Sequence, residues 1–353
     1  MAAKYRVGII GTGRPWKSPG ATGFGMAHGH ARGYLKTGRC ELTAIADVNA
    51  ENAEAFAKEY GSPAIYSDYT QMLKRERLDI VSICTWPALH APMVRACAEA
   101  GVRAVHCEKP MALRWGEARA MHEACVQNGV QLTFNHQRRF LQPFQTAREM
   151  LDEGAIGTLL RIEGQCADLF DWGTHWFDMF FYYNHDQDAE WVLGQIDARR
   201  TRLVFGAPVE DQGVSLFKFR NGVRALLVTG YDADIGCANR LIGTDGVIEI
   251  GWEAPWLRYH ARSGGWREVE MTEGIHDPVG LERAMADVVS SLDQGLRPLL
   301  SSFNAIRSTE VLFATYESAR VRGRIDLPLT NPEAGLAPML EAGAADPHAS
   351  QPR

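Results

Sequence analysis

The sequence has 353 residues, of which 46% are hydrophobic and 23% charged, which is ordinary for a globular protein and long enough for two domains. Its formal net charge of −6 argues against a nucleic-acid-binding protein, which would need a basic face. No apolar run approaches the ~20 residues that span a bilayer, and the start of the chain lacks a signal-peptide core, so we expect no membrane association.

The first predicted element is a buried strand, Tyr5–Ile10, followed by Gly11 and Gly13 and then by a helix from about Gly25. Strand, glycines and helix in this order predict a dinucleotide-binding turn, because glycine lets the backbone approach a pyrophosphate. The usual Gly-x-Gly-x-x-Gly spacing of such a turn is interrupted after Gly13. We interpret residues 14–23 as an insertion and Gly25 as the third glycine, which allows close packing of helix on strand. A flexible glycine-rich surface loop is the alternative.

The second predicted strand runs from Glu41 to Asp47, so it ends on an acid. A carboxylate at this place can accept hydrogen bonds from the ribose hydroxyls and would repel a 2′-phosphate. Neither Arg nor Lys follows in residues 48–50, so the sequence favours NAD, with NADP less favoured. Alternatively, Asp47 caps the helix predicted over 50–60.

Strands and helices continue to alternate up to about residue 137. The next strand runs from Leu78 to Thr85 and turns at Trp86, before a helix that follows His90. Further elements are a strand over 102–107, a helix over 115–128 and a strand over 130–135. Repeated βα units of this length predict a doubly wound parallel sheet, and hence an N-terminal domain over 1–137.

The strand over 102–107 ends in Glu108, Lys109 and Pro110. Pro110 lacks an N–H and disfavours helical geometry at Lys109, so the chain leaves the sheet here. Ligands of open parallel sheets bind outside the carboxyl ends of the strands, and a lysine fixed there can face a bound substrate. The alternative is a surface lysine before a turn.

After residue 137 the pattern changes to a second domain, predicted over 138–330. A helix over 143–153 and a strand from Leu159 lead to an aromatic-rich helical stretch that opens at Asp171–Asp178. Alternating runs then predict a large, mostly antiparallel open sheet in an α+β domain: 213–219, 223–229, 239–250, and 256–260 paired with 266–270. Helices over 278–294 and 303–322 close the domain, and the Ala-, Gly- and Pro-rich tail over 331–353 is expected to be disordered.

These motifs, in this order, resemble the Gfo/Idh/MocA family of NAD(P)-dependent sugar and polyol oxidoreductases over about residues 5–330. The matching motifs are Gly11-Thr12-Gly13, Asp47, Glu108-Lys109-Pro110, Gly154-x-x-Gly157, Asp171-x-x-x-His175-x-x-Asp178, Gly243-Thr-x-Gly246 and Leu327-Pro328. The resemblance implies an N-terminal Rossmann domain, NAD as the cofactor, a small sugar or polyol as the substrate, and a homodimer or homotetramer. The sequence departs from the family at the insertion over 14–23 and at Trp86-Pro87.

Within the family, the Lys of Glu-Lys-Pro and the Asp-x-x-x-His pair line the substrate site. The resemblance therefore implies Lys109, Asp171 and His175 as catalytic and substrate-binding residues. With an unperturbed pKa of ~6.5, a histidine such as His175 suits a general base, while Lys109 stabilises a developing alkoxide. Desolvation of Lys109 would reverse these roles. A histidine packed among aromatic rings is the structural alternative for His175.

The remaining predicted site residues surround these groups. Arg138 and Arg139 follow the last strand of the first domain and are expected to hold a substrate carboxylate, with closure of a loop as an equal alternative. Of the two, Arg139 is included among the predicted substrate-binding residues. The predicted cofactor-binding residues are Gly11, Gly13, Gly25, Asp47, Thr85, Trp86, His90, Glu108 and Lys109.

No metal site is predicted, because the spacings of His28-Gly29-His30 and His106-Cys107 lack the usual ligand pattern. The seven cysteines form no Cys-x-x-Cys pair and are expected to be reduced thiols in a cytoplasmic protein. Two other functions remain open: a redox-neutral, NAD-dependent glycoside-processing enzyme, and a non-catalytic sensor that binds a sugar or NAD.

Overall fold

A computed structural model describes residues 4–200, 202–231 and 233–341. In chain order, its helices are α1 (Met26–Lys36), α2 (Ala50–Glu59), α3 (Tyr69–Arg75), α4 (His90–Glu99), α5 (Trp115–Gln127), α6 (Gln142–Asp152), α7 (Gly173–Tyr183), α8 (Val279–Gln294), α9 (Ser302–Val321) and α10 (Leu336–Glu341). Across these described ranges, no helix is both long enough and apolar enough to cross a bilayer.

The strands fall into three sheets. They are β1 (Tyr5–Ile10), β2 (Cys40–Ala46), β3 (Ala64–Tyr66), β4 (Ile80–Ile83), β5 (Ala104–Cys107), β6 (Gln131–Phe134), β7 (Leu159–Cys166), β8 (Ala189–Asp197), β9 (Arg202–Val204), β10 (Ala207–Val209), β11 (Gln212–Phe219), β12 (Arg224–Thr229), β13 (Asn239–Gly243), β14 (Gly246–Ile250), β15 (Leu257–Ala261), β16 (Trp266–Glu268) and β17 (Ile325–Asp326).

The chain divides into two compact units, and the division differs from the predicted domains in two segments. The first unit contains the residues up to Ala112, together with Ala118–Gln137 and Pro278–Phe303. The second contains Leu113–Glu117, Arg138–Asp277 and the residues from Asn304 onward. The domain boundary predicted after residue 137 coincides with the boundary between Gln137 and Arg138. However, the segment that carries α8 belongs to the first unit, because its side chains pack on α1.

The first unit is built on the predicted parallel sheet. Its strands lie in the order β3-β2-β1-β4-β5-β6, and every neighbouring pair is parallel. Strands β4 and β5 are buried at every residue, as expected for a sheet covered on both faces. Because all six strands run the same way, the turns that follow β1, β2, β4, β5 and β6 lie along one edge of the sheet.

Two glycines of α1 bring α8 close. A Cβ at Gly29 would lie 2.8 Å from Cδ1 of Leu281, and one at Gly33 would lie 2.6 Å from Cγ of Met285. Only glycine leaves room for these side chains, so the two helices approach closely at this point. This packing explains why a helix so late in the chain belongs to the first unit.

The second unit contains a mixed sheet in the order β16-β15-β14-β13-β7-β12-β11-β8-β17. The β12–β7 pair is parallel and the other pairs are antiparallel, in agreement with the predicted mostly antiparallel sheet. The single run predicted over 239–250 is instead two paired strands, β13 and β14, because the chain turns at Thr244-Asp245. Separately, β9 and β10 form a two-stranded ladder.

One face of this sheet packs on α7, a helix in which every residue is buried. Phe177, Phe180 and Phe181 of α7 lie 6.1, 6.3 and 6.2 Å from the ring of Phe217 on β11, measured between ring centroids. Fully burying such aromatic side chains contributes roughly 1.5–3 kcal/mol each, so α7 is part of the core of its unit. The start of α7 is therefore held rigidly.

The expected disorder from residue 331 onward is wrong for the part of the tail that the structure describes. The N–H of Gly116 donates to the carbonyl of Pro332 at 2.8 Å, and the N–H of Trp115 donates to that of Ala334 at 3.0 Å. Leu336 and Met339 of α10 are buried, and α10 contacts β10. These apolar residues order residues 331–341, and the rest of the tail lies outside the described residues.

Replacement of Leu336 by Ala tests this packing. A buried leucine that becomes alanine costs about 2–5 kcal/mol, so Leu336→Ala should lower the free energy of unfolding by an amount in this range. Leu203→Ala is the matched control, because Leu203 is 63% exposed and its loss should change the free energy by under about 0.5 kcal/mol. Equal urea midpoints for the two variants would show that the tail does not contribute to stability.

Candidate functional site

The turn after β1 has the geometry of a phosphate-binding turn. Gly11 and Gly13 have φ values of 82° and 57°, a region that side chains disfavour. A Cβ at Gly11 would lie 2.8 Å from Cγ2 of Thr85, whereas one at Gly13 would meet nothing within 4 Å. The first turn of α1 carries no acid, and no side chain caps its N–H groups. These features fit the pyrophosphate of a dinucleotide.

The predicted role of Gly25 as a helix-packing glycine is wrong. Gly25 is the N-cap of α1 with a φ of 64°, and its Cβ would lie 2.3 Å from the carbonyl oxygen of Arg14. The backbone of Gly25 therefore packs closely against the inserted loop, not against a strand. Gly29 and Gly33 are the glycines that permit tight packing.

The inserted loop is anchored at the start of α2. Nε of Arg14 donates to Oδ1 of Asn52 at 2.7 Å, and Nη2 donates to Oε2 of Glu51 at 3.0 Å. These contacts were not predictable, because the two segments are far apart along the chain. Arg14 thus places a cation near Asp47, with its charge opposed by Glu51.

Asp47 fixes the glycine turn. Its Oδ2 accepts hydrogen bonds from the N–H and Oγ1 of Thr12, at 2.8 and 2.6 Å, and from the N–H of Gly13 at 3.2 Å. Oδ1 accepts a hydrogen bond from the N–H of Asn49 at 2.8 Å. A carboxylate oxygen can accept more than one hydrogen bond, so Oδ1 retains capacity. The alternative that Asp47 caps α2 is wrong, because Asn49 is the N-cap.

The predicted cofactor role of His90 needs correction. His90 is fully buried. Its Nδ1 lies 2.9 Å from the carbonyl oxygen of Pro110, and its Nε2 lies 3.0 Å from that of Thr85. Burial lowers the pKa of His90. The ring therefore has no polar atom to offer a cofactor, and it ties the turn after β4 to the turn after β5. Trp86, by contrast, is exposed.

Glu108 is the centre of a buried hydrogen-bond network. Its Oε1 lies 3.0 Å from Nε2 of His30 and accepts a bond from Nδ2 of Asn135 at 2.7 Å. Its Oε2 accepts from the N–H of Lys109 at 3.3 Å. Burial raises the pKa of Glu108, but His30, Lys109 and Asn135 outweigh this effect, so the pKa lies below its usual value. Glu108 therefore holds the backbone of Lys109 as a carboxylate.

The network includes two residues that sequence reasoning missed. Asn135 directly follows β6, so it lies at the same sheet edge as Lys109. The strand predicted over 130–135 could have indicated this position. His30 lies within α1, and its contact with Glu108 depends on how that helix packs on the sheet. Nδ1 of His30 also lies 3.1 Å from Oγ of Ser82 on β4.

In the second unit, Asp171 precedes α7 and His175 lies in its first turn, and both are buried. Oδ1 of Asp168 accepts the N–H of Asp171 at 2.5 Å and that of Trp172 at 3.3 Å, and the carbonyl of Asp168 accepts the N–H of Gly173 at 2.8 Å. Asp168 was not singled out from the sequence. It holds the turn that carries Asp171.

A second carboxylate supports Asp168. Glu210 is fully buried, accepts the N–H of Leu169, and accepts a bond from the hydroxyl of Tyr316 at 2.9 Å. Burial raises the pKa of Asp168 to about 7, and the charges of Glu210 and Asp171 add to the shift. The pKa of Glu210 is also raised, first by burial. Near neutrality the pair therefore carries fewer than two full charges.

The predicted substrate role of Arg139 is wrong. Its side chain is fully buried, and its Nε and Nη2 donate to the Asp178 carboxylate at 2.7 and 2.9 Å. Nη1 and Nη2 donate to Asp186 at 3.1 and 2.7 Å. Both carboxylates belong to α7 or the turn after it, so Arg139 is a structural ion-pair residue.

The site residues thus fall into two groups. The first unit gathers Gly11, Gly13, Asp47, Thr85 and Lys109 along one sheet edge, and the second unit places Asp171 and His175 at the start of α7. Among the residues that the structure describes, no group of three or more His, Cys, Asp and Glu side chains is arranged to hold a metal ion.

Comparison with known proteins agrees with this geometry. Residues 5–136 match the GFO_IDH_MocA family model, described as an oxidoreductase family with an NAD-binding Rossmann fold. The chain is 26% identical to D-apiose dehydrogenase of Paraburkholderia graminis across 90% of this chain and 92% of that protein. It is also 26% identical to inositol 2-dehydrogenase of Rubrobacter xylanophilus, across 70% and 71% respectively.

A solved structure has the same fold as this chain. Levoglucosan dehydrogenase in complex with NADH and levoglucosan superposes with a TM-score of 0.78 at 22% identity, covering 92% of this chain and 100% of that one. The predicted fold class is therefore confirmed: a Rossmann sheet followed by a mixed, mostly antiparallel sheet. Residues 5–136 thus match the Gfo/Idh/MocA family of NAD-binding oxidoreductases, and the motifs, fold and relatives of the chain agree with that family.

Proposed function

We propose that this oxidoreductase transfers a hydride between NAD and a secondary alcohol or ketone of a sugar, cyclic polyol or sugar derivative. The first unit binds the cofactor and the second recognises the substrate. The observation that carries the proposal is the convergence, at one sheet edge, of the glycine turn, Asp47 and Lys109. The named relatives, which are sugar and polyol dehydrogenases, support the substrate class. All seven cysteines are free thiols, which supports a cytoplasmic location.

Lys109 and His175 have complementary roles in this proposal. NAD, when bound, supplies the hydride acceptor. The Lys109 ammonium donates a hydrogen bond to the reacting oxygen and stabilises the charge that develops there. His175 accepts the hydroxyl proton, and Asp171 orients the substrate or the imidazole. Glu108 and His90 act indirectly, because they fix the main chain on either side of Lys109.

A cofactor comparison tests the role of Asp47. NADH should bind more tightly than NADPH, because a 2′-phosphate would face the Asp47 carboxylate. Asp47→Ala should narrow this gap, and titration calorimetry with both cofactors measures it. Arg14→Gln is the companion variant, because the Arg14 guanidinium is already bonded to Glu51 and should contribute little to NADPH affinity. Equal affinities for the two cofactors in the parent chain would refute the assignment of Asp47.

Two substitutions separate catalysis from binding. Lys109→Met should leave the dissociation constant for NADH within about threefold of the parent value, while kcat falls about 10²–10³-fold, because a charged hydrogen bond to an oxyanion is lost. His175→Ala should lower kcat by about 10²–10⁴-fold and flatten the pH dependence near neutrality. The double variant should lose less than the product of the two, as expected for groups that serve one proton transfer.

The control for these variants is Lys58→Met, at an exposed lysine on α2, which should retain parental turnover. A His175→Ala variant with a lowered melting temperature and near-parental kcat would identify His175 as a packing residue instead. If the parent bound a polyol tightly but turned over none of a broad panel, a sensor would be the better assignment.

We further propose that the chain forms a homodimer or homotetramer through the outer face of the large sheet in its second unit. In the strand register, Leu193 lies opposite Leu216 and Leu216 lies opposite Leu226, which places three leucines in a row on the face away from α7. Val214 and Val228 form the next row. Leu193 is 41% and Val214 is 42% exposed, and an apolar stripe of this kind is typical of a subunit interface.

Leu216→Arg tests the oligomer. Light scattering should show a parent assembly of two or four chains at micromolar concentration. The variant, whose charge would be buried in the interface, should dissociate to monomers with unchanged far-ultraviolet circular dichroism. Leu203→Arg, on the separate two-stranded ladder, should leave the assembly intact. A monomeric parent would rule out the interface.

A further inference from the structure

Two adjacent arginines in the second unit are buried alike but bonded differently. Arg138 is 5% exposed and Arg139 is fully buried. Arg139 donates to two carboxylates, and although burial lowers its pKa, the charges of Asp178 and Asp186 raise it above the usual value. No acceptor among the described residues lies within hydrogen-bond distance of Nε or Nη1 of Arg138. These two nitrogens are buried, and their N–H groups are left without an acceptor among the described residues.

Arg138 rests on aromatic faces instead of carboxylates. Its Cζ lies 5.1 Å from the ring centroid of Trp172 and 5.0 Å from that of Trp176. Cation–π contacts of this kind offset only part of the cost of removing a charge from water. Burial accordingly lowers the pKa of Arg138 to about 10, and the charge of Asp171 opposes the shift only in part. A buried, incompletely compensated cation lowers the stability of the folded chain, and a bound anionic ligand would compensate its charge.

The surroundings of Arg138 form an aromatic cluster, defined here as Trp172, Trp176, Trp252 and His276. Trp252 lies 5.7 Å from Trp172 and 5.5 Å from Trp176, and His276 lies 5.6 Å from Trp172, between ring centroids. Nε1 of Trp252 is buried and, across the described residues, has no acceptor. His276 is exposed and Trp172 is half-buried, so the cluster reaches the surface.

The aromatic cluster adjoins the proposed catalytic residues. Trp172 and Trp176 each neighbour His175 or Asp171 along α7 and the turn before it, and the charge of Asp171 acts on Arg138. Indole faces pack against the apolar C–H faces of a sugar ring, while a few convergent donors fix its orientation. The donors here are Nε and Nη1 of Arg138 and Nε1 of Trp252, none of which has an acceptor within the described ranges. An anionic group is their natural complement.

Building on the proposed dehydrogenase function, we propose that Arg138 and Trp252, within the aromatic cluster, bind the carboxylate of an acidic sugar, of the uronic- or aldonic-acid class. A carboxylate can accept a charge-assisted hydrogen bond from Nη1 or Nε of Arg138 and a second hydrogen bond from Nε1 of Trp252. The sugar ring then lies against Trp172, with its reacting carbon directed toward His175. Of the two arginines considered from the sequence, Arg138 rather than Arg139 is the carboxylate-binding residue.

Calorimetry on the full chain saturated with NADH tests this inference. The probes are D-glucuronate, D-galacturonate, D-gluconate and D-galactonate, each compared with neutral D-glucose or D-galactose. At least one acid should bind about 10- to 100-fold more tightly than its neutral partner, as expected for charge-assisted hydrogen bonds. Arg138→Met should abolish this preference while leaving the affinity for the neutral sugar nearly unchanged. Arg138→Lys should restore only part of it, because a lysine ammonium keeps the charge but not the planar arrangement of guanidinium donors.

Arg224→Met is the matched control, because it removes one exposed arginine from the same unit and should preserve the preference for the acid. The melting temperature supplies an independent readout. Arg138→Met should melt at or above the parent temperature, since it removes a buried charge without a carboxylate partner. A lower melting temperature would identify Arg138 as a structural residue and overturn the inference. The inference would also be overturned if the parent bound every acid no more tightly than its neutral partner. Tighter binding of D-glucose 6-phosphate than of any acid would overturn it as well.

Turnover distinguishes this inference from the proposed function on which it rests. Oxidation of neutral polyols with NAD⁺, without any preference for acids, would retain the dehydrogenase and reject the carboxylate site. Tight, Arg138-dependent binding of an acid without turnover of any probe would retain the site and reject the dehydrogenase.

Discussion

The buried carboxylate of Glu108 is the constraint on which the first unit's site depends. A carboxylate removed from water must be hydrogen-bonded, and Glu108 meets this requirement with groups from α1, from the end of β6 and from its own turn. The same bonds fix where the chain leaves β5. The backbone of Lys109 is thus positioned by an interaction whose loss would leave a buried charge unpaired. His90 adds a second restraint by joining the turns after β4 and β5.

The second unit uses the same principle with a different charge state. Asp168 and Glu210 accept main-chain N–H groups on either side of the turn before α7. Burial raises both pKa values, and the charge of Glu210 adds to the shift of Asp168, whereas the pKa of Glu108 lies below its usual value. A partly protonated pair is less costly to bury than two full charges. Each unit therefore positions its reactive side chain through buried acids that are not themselves placed to react.

Much of the fold was predictable because its determinants are local. Buried apolar runs, Gly11 and Pro110 mark where strands and turns occur, and a parallel sheet then brings Asp47 and Lys109 to one edge. His30, Asp168 and Glu210 were not predictable, because their roles depend on contacts between segments far apart in sequence. Arg138 and Arg139 look equivalent in the sequence, and only the folded chain gives one of them two carboxylates. Likewise, residues 331–341 resemble a disordered tail in composition but bury two apolar side chains.

The complete burial of α7 restricts how the specificity of this protein can change during evolution. Every side chain of that helix belongs to the core, so a substitution there alters both the chemistry near His175 and the free energy of folding. Trp252 and His276 lie outside α7, on segments with more solvent exposure, and carry a smaller penalty. Descendants of this chain that acquire new substrates should therefore diverge first at these surrounding positions, while the helix itself persists almost unaltered.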